Sequence, residues 1–327
     1  MKTKLFSGMR PTGKLHLGHY HGVLKNWLKL QSEYDCFFAV ADWHALTTEY
    51  ASPGAIRSSM RDVVADWLAV GLDPDQSTIF VQSSVPEHAE LHLLLSMLTP
   101  LGWLERVPSY KELQKELVNR DLSTFGFLGY PVLQTADIVL YDGAKVPVGS
   151  DQVPHIELAR EIVRKFNNLY GETLVEPQPI LTETPRLLGL DRRKMSKSYD
   201  NAIYLSDDPK EVSRKVMAAI TDPARVRRED PGNPDVCVIY DYHKLHSERA
   251  TCEKVNRECR SAEIGCVEDK KMMVKVLNDF LAPIRERREK ILQNPKDLDE
   301  ILERGKKKAE KIARLTMERV RKAMCLN

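Results

Sequence analysis

Three histidines stand close together near the start of the chain, in the stretch KLHLGHYHG. Neutral imidazole is the commonest metal ligand in proteins, so His16, His19 and His21 first suggest a metal site. The stretch holds no acidic residue that would complete a set of ligands. The alternative is a nucleotide loop, because the stretch follows the strand-like run KLFSG and opens a helix, whose N-terminal N–H groups attract phosphate.

A second stretch, RKMSKS from Arg193 to Ser198, combines three cations with two hydroxyl groups. Taken alone, it is typical of a basic turn exposed to solvent. Taken with the histidines, it predicts a site of phosphoryl transfer, because that reaction needs positioning and fixed positive donors more than a covalent nucleophile. Lysines on a loop would also let such a site close around a nucleotide and reopen.

The elements that would position these stretches are those of a parallel α/β sheet. Apolar runs in the first half of the chain, KLFSG, CFFAVA, STIFVQSS and KVPV, alternate with helical stretches. After about Tyr199 strand-like runs become scarce and amphipathic helical stretches dominate. We therefore predict a Rossmann-like α/β nucleotide-binding domain over residues 1–200. A smaller all-helical domain follows over residues 201–327, and its last helix can pack back on the first domain.

Composition and the apolar runs predict neither secretion nor a membrane span, and the net charge predicts no particular partner. The chain of 327 residues carries 49 Lys and Arg against 47 Asp and Glu, which gives a net charge of +2. Its start shows no signal-peptide pattern, and no apolar run reaches the length of a membrane span. Six cysteines in a chain of this length do not indicate a disulfide framework. We predict a cytoplasmic protein with free thiols and no membrane partner.

Positive charge is concentrated in two places. The last helical stretch carries nine Lys and Arg against two Glu between Arg304 and Lys322. A loop broken by proline and glycine contains Arg225, Arg227 and Arg228. Both would suit the phosphate backbone of an RNA, although a charged stretch is more often only a solvated face.

The HLGH and KMSKS stretches, in this order and at this separation, resemble the two signatures of the class I aminoacyl-tRNA synthetases. From residue 6 to beyond residue 230 the chain is similar to the tryptophanyl-tRNA synthetases of bacterial type, in FSGMRPTGKLHLGH, ADWHALT, ERVPSYKE, YPVLQTADIVLY, VPVGSDQ and DPARVRREDPGNP. This resemblance implies a homodimer that joins L-tryptophan to tRNA(Trp), using ATP with Mg²⁺. A tyrosyl-tRNA synthetase relative, or a tRNA- or nucleotide-binding paralogue without catalysis, is the alternative.

The resemblance also implies roles for residues near the two signatures. Two histidines face the α-phosphate and two lysines hold the leaving pyrophosphate: His16, His19, Lys194 and Lys197. The implied ATP-binding residues are Arg10, Pro11, Thr12, Gly18, His19, Gly149, Ser150, Asp151, Leu187, Lys194, Met195, Ser196, Lys197 and Ser198. Gly149 would allow a close approach of the ribose, Asp151 would accept from its hydroxyl groups, and Leu187 would contact adenine.

Asp137 is the centre of the implied tryptophan site. If YPVLQTAD is helical after Pro131, Tyr130, Gln134 and Asp137 lie on one helix face. The indole N–H only donates, so a buried carboxylate is its natural partner. By the resemblance, apolar side chains pack the indole while other groups hold the amino acid's polar end. The implied set is Asp137, Phe6, Gly8, His44, Tyr130, Gln134, Val146, Val148 and Gln152.

The cysteines of the second half raise a separate question. Some relatives carry an iron–sulfur site that ends in Cys-x6-Cys-x2-Cys. Cys259 and Cys266 match its start and Cys237 could be the distant first ligand, but Asp269 stands at the final position. Either Cys252 or Asp269 would have to complete a 4Fe–4S cluster, which usually takes four thiolates. Zinc is the other metal that such residues bind, although no Cys-x2-Cys pair is present. We favour free thiols over an intact cluster.

Overall fold

A computed structural model describes residues 2–107, 122–182 and 187–326. Most of the ERVPSYKE stretch lies outside these residues, as does the Ser198 side chain. The chain forms two compact units. The sheet unit comprises Met1–Gly13, Asn26–Glu183 and Asn294–Asn327, and the signature unit comprises Lys14–Lys25 and Thr184–Gln293. The predicted domain boundary at residue 200 stays a prediction.

A parallel sheet of five strands forms the centre of the sheet unit, as far as the described residues show. The strands are β1 (Lys4–Met9), β2 (Asp35–Val40), β3 (Ser77–Val81), β4 (Lys145–Val148) and β5 (Gln178–Leu181). They lie in the order β3-β2-β1-β4-β5, so the connections reverse direction between β1 and β4. Ligands of such sheets bind at the carboxyl ends of the strands near this reversal. The predicted Rossmann-like α/β fold is confirmed.

Helices cover this sheet and make up most of the chain after it. In chain order they are α1 (Leu17–His19), α2 (Lys25–Leu30), α3 (Asp42–Glu49), α4 (Pro53–Ala69), α5 (Glu87–Ser96), α6 (Leu101–Leu104), α7 (Phe125–Leu140), α8 (Val153–Tyr170), α9 (Pro209–Ala218), α10 (Val238–His246), α11 (Arg249–Arg260), α12 (Cys266–Gln293) and α13 (Pro295–Ala323). A π-helical turn, Tyr20–Leu24, separates α1 from α2, where apolar spacing predicts one continuous helix. Among the described residues, no helix is both long enough and apolar enough to span a membrane.

The last helix, α13, belongs to the sheet unit although it ends the chain. It packs against the edge strand β3 and against α5 and α7. The approach is close, since a Cβ atom at Gly305 would overlap the carbonyl oxygen of Ile79. Ala309, Ala313 and Val320, which the sequence places on one apolar face, are buried.

Much of the positive charge of α13 is used within the sheet unit. Five of its cations pair with carboxylates on other elements of that unit: Arg304 with Asp75, Lys308 with Asp35, Arg314 with Glu87, Arg319 with Asp142, and Arg321 with Glu90. These pairs account for a large part of the charge that the sequence offers to RNA. These cations thus have partners within the sheet unit, and contact between α13 and RNA stays a prediction.

The signature unit is helical beyond its two signature stretches. Helix α12 packs against α9 and α10, and its buried side chains Met273, Leu277 and Leu281 form part of the core. A buried ion pair, Lys215 Nζ to Asp207 Oδ2 at 2.6 Å, ties α9 to the segment before it. This arrangement agrees with the predicted helical character of the second half.

Candidate active site

The HLGH stretch is held by backbone hydrogen bonds to the segment that follows KMSKS. The Leu17 N–H donates to the Ile203 carbonyl oxygen at 3.0 Å, and the Leu205 N–H donates to the Leu15 carbonyl oxygen at 2.9 Å. His16, between these two bonds, is buried and stands directly before α1. The two signature stretches that the sequence singles out therefore lie in one unit, joined by a short ladder.

The two signature histidines are neutral at neutral pH. Burial lowers the pKa of His19 to about 4, and burial together with the neighbouring His19 lowers that of His16 to about 3. The backbone N–H of His16 donates to Nδ1 of His19 at 3.2 Å, so the neutral ring of His19 carries its hydrogen on Nε2. His19 thus offers a neutral N–H donor, which suits a phosphoryl oxygen.

Gly18 is required by the space between these rings. A Cβ atom at this position would lie 2.9 Å from two ring atoms of His16 and 3.8 Å from the Met195 Cβ. The third histidine of the stretch, His21, is used differently, because its Nε2 lies 3.0 Å from Nε2 of His246 on α10. No group of three or more His, Cys, Asp or Glu among the described residues is arranged to hold a metal ion.

KMSKS lies on a tight hairpin that is held by hydrogen bonds to the side chain of Asn201. Leu188 and Lys194 form a β-bridge across the hairpin. The buried Asn201 accepts from the Ser196 N–H at 2.8 Å, and its amide donates to Asp191 at 2.7 Å and to the Lys194 carbonyl oxygen at 3.2 Å. Sequence reasoning missed Asn201. Its signal is an amide side chain, able to donate and accept, directly behind a turn.

The predicted ATP-binding residues of this hairpin differ in exposure. Lys194 and Lys197 are exposed, whereas Met195 is buried. Leu187 is also buried, and its carbonyl oxygen accepts from the Met195 N–H at 3.3 Å. Exposed lysines on a braced hairpin can reach a bound phosphate. The roles of all four residues stay predictions.

Asp137 is the centre of a buried hydrogen-bond network in the sheet unit. His44 Nε2 lies 2.9 Å from its Oδ2, and His88 Nδ1 lies 2.7 Å from its Oδ1. The Gln82 amide nitrogen lies 2.8 Å from both oxygens. Burial opposes ionisation of Asp137, but the His88 imidazole and hydrogen bonds from His44 and His88 outweigh it, so its pKa lies well below the ordinary value. Asp137 is a buried anion that accepts hydrogen bonds.

Helix α7 presents this carboxylate, and it begins before Pro131. The helix begins at Phe125, with Thr124 accepting from the Phe127 N–H, and Pro131 lies inside it. Tyr130 and Gln134, predicted on the same face as Asp137, are half-buried. The stretch after Pro131 is helical, as the spacing argument for Tyr130, Gln134 and Asp137 requires, and the Thr124 cap begins the helix six residues before Pro131.

The Tyr130 hydroxyl has a partner that sequence reasoning missed. Its oxygen lies 2.8 Å from Nε2 of His155, a buried residue at the start of α8. A tyrosine held in this way is fixed in orientation. The prediction that Tyr130 holds the polar end of an amino acid stays a prediction.

The remaining predicted site residues lie along or just after β1 and β4. Phe6 and Gly8 lie in β1, and Val146 and Val148 in β4, with Phe6 and both valines buried. Those that follow the strands are Arg10, Pro11, Thr12, Gly149, Ser150, Asp151 and Gln152. The structure thus places this set at and beyond the strand ends where parallel sheets bind ligands.

Three cysteines and Asp269 line one small pocket of the signature unit, together with Arg225. The Arg225 guanidinium Nη1 lies 4.0 Å from Sγ of Cys259 and 3.9 Å from Sγ of Cys266. Burial raises the pKa of the Cys237 thiol to about 11, so this thiol is protonated. The pocket brings together the three predicted cysteine ligands, with a cation among them.

The fourth ligand is the difficulty for a cluster. Cys252 donates to the His243 carbonyl oxygen at 3.1 Å and does not line this pocket. Asp269 Oδ1 lies 3.0 Å from Nε2 of His243. This donor set of three thiols, a carboxylate already bound and a guanidinium does not fit a cluster of four thiolates.

The Arg-rich loop next to this pocket is braced by its own arginines. Arg225 donates to the Arg228 carbonyl oxygen at 2.6 Å. Arg228 donates to the carbonyl oxygens of Ala262 and Glu263 at 3.4 and 3.1 Å. Arg227 is exposed. Two of the three arginines predicted to contact RNA therefore have structural partners.

The chain is similar to known proteins in both sequence and structure. A family model described as class I tRNA synthetases (W and Y) matches residues 1–282. A tryptophan–tRNA ligase of Thermotoga maritima is 53% identical over 325 residues, which is 99% of this chain and 99% of the relative. One from Aquifex aeolicus is 45% identical over 393 residues, covering 99% of this chain and 100% of the relative. The structure of a Campylobacter jejuni tryptophanyl-tRNA synthetase complexed with ADP and tryptophan has a TM-score of 0.89 and 32% identity, covering 98% of this chain and 99% of that one.

Proposed function

The chain belongs to the class I tRNA synthetases of the tryptophan and tyrosine group, and we infer that it is an ATP-dependent tryptophan–tRNA ligase. In this reaction L-tryptophan and ATP give tryptophanyl-adenylate and pyrophosphate. The tryptophanyl group then passes to the 3′-terminal ribose of tRNA(Trp). Full-length identity to tryptophan–tRNA ligases favours tryptophan over tyrosine as the amino acid.

The buried Asp137 carboxylate is the observation that carries the choice of amino acid. It is ionised and accepts hydrogen bonds, and the donor-only N–H of an indole complements it. A site built around a polar contact rejects analogues without that group far better than an apolar pocket does. Phe6, Val146 and Val148 supply apolar surface at nearby strands for the ring.

The signature residues supply what adenylate formation requires. The carboxylate of tryptophan attacks the α-phosphorus of ATP. The bond from this phosphorus to the bridging oxygen of pyrophosphate breaks, and negative charge grows on the phosphoryl oxygens. His19 can donate through Nε2 to the α-phosphate, while Lys194 and Lys197 neutralise the leaving pyrophosphate. ATP enters as its magnesium complex, and the ion is carried on the phosphate oxygens. The presence of both signatures argues against a paralogue without catalysis.

ATP–pyrophosphate exchange across the twenty amino acids tests this function. We expect exchange with tryptophan and at most weak exchange with tyrosine. Exchange with tyrosine alone would make the chain a tyrosine enzyme, and exchange with none would make it a binding protein without catalysis. A second assay, charging of tRNA(Trp) transcript with labelled tryptophan, tests the transfer step. The proposed location is the cytoplasm, and fractionation of cells with detection of the protein tests it.

A homodimer is part of the proposal, and one apolar face supports it. Four large side chains on α5, α6, the turn between them and the start of α7 are exposed, namely Leu93, Met97, Leu101 and Phe125, at 55, 70, 60 and 70%. These elements pack on one another within the sheet unit. Exposed apolar side chains on adjoining elements are typical of an interaction surface, and a second copy of the chain is its proposed occupant. Sedimentation of the wild type and of Met97→Glu should show a dimer and a monomer; equal mass in both would contradict this face.

For the cysteine pocket the proposal is a set of free thiols without an iron–sulfur cluster. Its support is the donor set, in which Asp269 replaces the last cysteine and Arg225 lies beside two thiols. Visible absorption and iron content of protein purified without oxygen decide the question. Brown protein with about four irons per chain, the number in a cubane cluster, would overturn this part of the proposal.

A further inference from the structure

Two buried side chains, His88 and Tyr141, form a line of hydrogen bonds that ends at Asp137. The reaction described above assigns them no role. His88 on α5 is fully buried, with Nδ1 2.7 Å from Asp137 and Nε2 2.6 Å from the Tyr141 hydroxyl oxygen. Tyr141 is also fully buried. Its ring packs against three aromatic rings, those of Phe6, Phe37 and Phe80. Such a line is costly to bury unless every group in it is satisfied.

The hydrogen positions in this line follow from what each group can donate. Burial raises the pKa of Tyr141 well above its ordinary value, so the hydroxyl keeps its hydrogen. Within the described part of the chain, His88 Nε2 is the one hydrogen-bond partner of that hydroxyl. The hydroxyl can therefore donate to Nε2, and the hydrogen on Nδ1 then faces Asp137, which only accepts.

Gln82 is oriented just as firmly. Its Oε1 accepts from the backbone N–H groups of Trp43 and His44 at 3.1 and 3.4 Å, at the start of α3. The amide nitrogen must then face Asp137, where it lies 2.8 Å from both carboxylate oxygens. Gln82 and His88 are fully buried, whereas the side chain of His44, the third donor, is 13% exposed.

We propose that Gln82, His88 and Tyr141 are positioning residues that hold Asp137 as a fixed carboxylate able only to accept, so that the site selects a ring with an N–H over an isosteric ring without one. The inference rests on the proposed activation of tryptophan. With two buried donors already on the carboxylate, it can neither rotate nor take up a proton readily. A ring in which sulfur replaces the N–H then leaves the remaining acceptor position of the carboxylate without a donor, which is a basis for rejection.

Two substitutions at His88 separate this role from simple packing. The measured quantity is the ratio of kcat/KM for tryptophan to kcat/KM for β-(3-benzothienyl)alanine in ATP–pyrophosphate exchange. In His88→Leu we expect this ratio to fall at least about tenfold, because one buried hydrogen bond to a charged group contributes ~1.5–3 kcal/mol. In His88→Asn the amide nitrogen can take the place of Nδ1, so the ratio should stay within about threefold of the wild type, a factor worth less than ~1 kcal/mol.

A pH profile supplies a readout that altered packing would not change. In His88→Leu burial of Asp137 is no longer offset, so its pKa rises and KM for tryptophan should increase as the pH is lowered from 8 to 6. The wild-type KM should not show this increase. The other titratable groups near this line are the same in both proteins: His44, His92, Glu87 and Arg314. Any pH effect of these groups is therefore common to both and cancels in the comparison.

The outcomes distinguish this inference from the proposed function. If the wild type exchanges tryptophan but a folded His88→Leu keeps the wild-type ratio and flat pH profile, the inference is wrong and the function stands. If the wild type does not exchange tryptophan, the function itself fails. If His88→Leu does not fold, as judged by circular dichroism, Tyr141→Phe replaces it. That variant keeps the ring and removes one donor, and an unchanged ratio there would overturn the inference.

Discussion

The candidate residues of the two units differ in charge and in burial. In the sheet unit, Asp137 is a single buried anion, and three side chains of its own unit already donate to it. In the signature unit, Lys194 and Lys197 are exposed cations on a hairpin whose backbone and Asp191 side chain are held by Asn201. A group that must discriminate between rings is fixed before the substrate arrives. The two lysines proposed to meet the charge of the leaving pyrophosphate are left in solvent, where they cost little to maintain.

This difference predicts how the two sites respond to substitution. Removing a buried, satisfied group should damage both binding and stability, because its partners are left without a counterpart. Removing an exposed cation should damage the reaction and leave the fold intact. The following experiments test that contrast, from the largest expected effect to the smallest.

Lys194→Ala should slow ATP–pyrophosphate exchange by about 10²–10³-fold, the usual cost of removing a preorganised donor that stabilises the transition state. KM for tryptophan and the thermal midpoint should stay close to the wild-type values, because Lys194 is exposed. Steady-state exchange kinetics measure the effect. Lys210→Ala, an exposed lysine on α9, is the matched control and should be fully active. If Lys210→Ala were also slow, the loss of activity would follow from removing any exposed positive charge and not from the position of Lys194.

Asp137→Asn should lower kcat/KM for tryptophan by about 10–100-fold, since hydrogen bonds to a charged group contribute ~1.5–3 kcal/mol. Unlike Lys194→Ala, it should also lower the thermal midpoint, because His44 and His88 lose an anionic partner. Asp299→Asn removes an exposed pair with Arg61 and should change neither quantity. Equal thermal midpoints for Asp137→Asn and the wild type would remove the contrast between the two sites.

Asn201→Ala should raise KM for ATP and lower kcat together, by about tenfold in kcat/KM, because one lost brace of ~1–2 kcal/mol lets the KMSKS hairpin leave its position. KM for tryptophan should not change. Asn256→Ala on α11, where the amide oxygen only accepts from Arg260, is the control. An effect of Asn201→Ala on tryptophan alone would contradict the assigned position of this brace.

The smallest expected effect concerns acid stability of the signature unit. Burial lowers the pKa of His21 to about 4 and that of His246 to about 3, so the unfolded chain binds more protons than the folded chain below pH 6.5. Stability present above pH 6.5 is therefore lost as the pH falls toward 4, by at most ~1.4 kcal/mol per pH unit for each histidine. His246→Asn should reduce the loss between pH 6.5 and 5.5 by about 1 kcal/mol. Urea midpoints at both pH values measure it, and an unchanged difference would show that His246 does not contribute.

What could be predicted from the sequence is what depends on local pattern. The uninterrupted apolar run of β2 and the alternation around it indicate a buried parallel sheet, and the order of HLGH and KMSKS indicates the family. The first turn of α7 is less accessible, since the Thr124 cap begins the helix before the stretch after Pro131 whose spacing is informative. Partners distant in sequence were not accessible to such patterns.

Asn201, Gln82 and His88 illustrate this limit. Each is a single polar residue without a periodic neighbour, and many structural reasons can place such a residue in a chain. Only the fold brings His88 and Asp137 together, although they are 49 positions apart. The cations of α13 show the same limit, because the sequence displays their cluster but not the carboxylates of the same unit with which five of them pair.

The close packing of α13 on β3 has a consequence for synthesis of the chain. The sheet is encoded before residue 182, but the helix that covers its edge strand begins only at Pro295. Until Pro295–Ala323 emerges, β3 presents an uncovered edge of the kind that pairs with other chains. Nascent chains therefore carry a completed sheet with an open edge from the end of β5 at Leu181 until the helix that begins at Pro295 emerges, and binding by a ribosome-associated chaperone should be strongest in that interval.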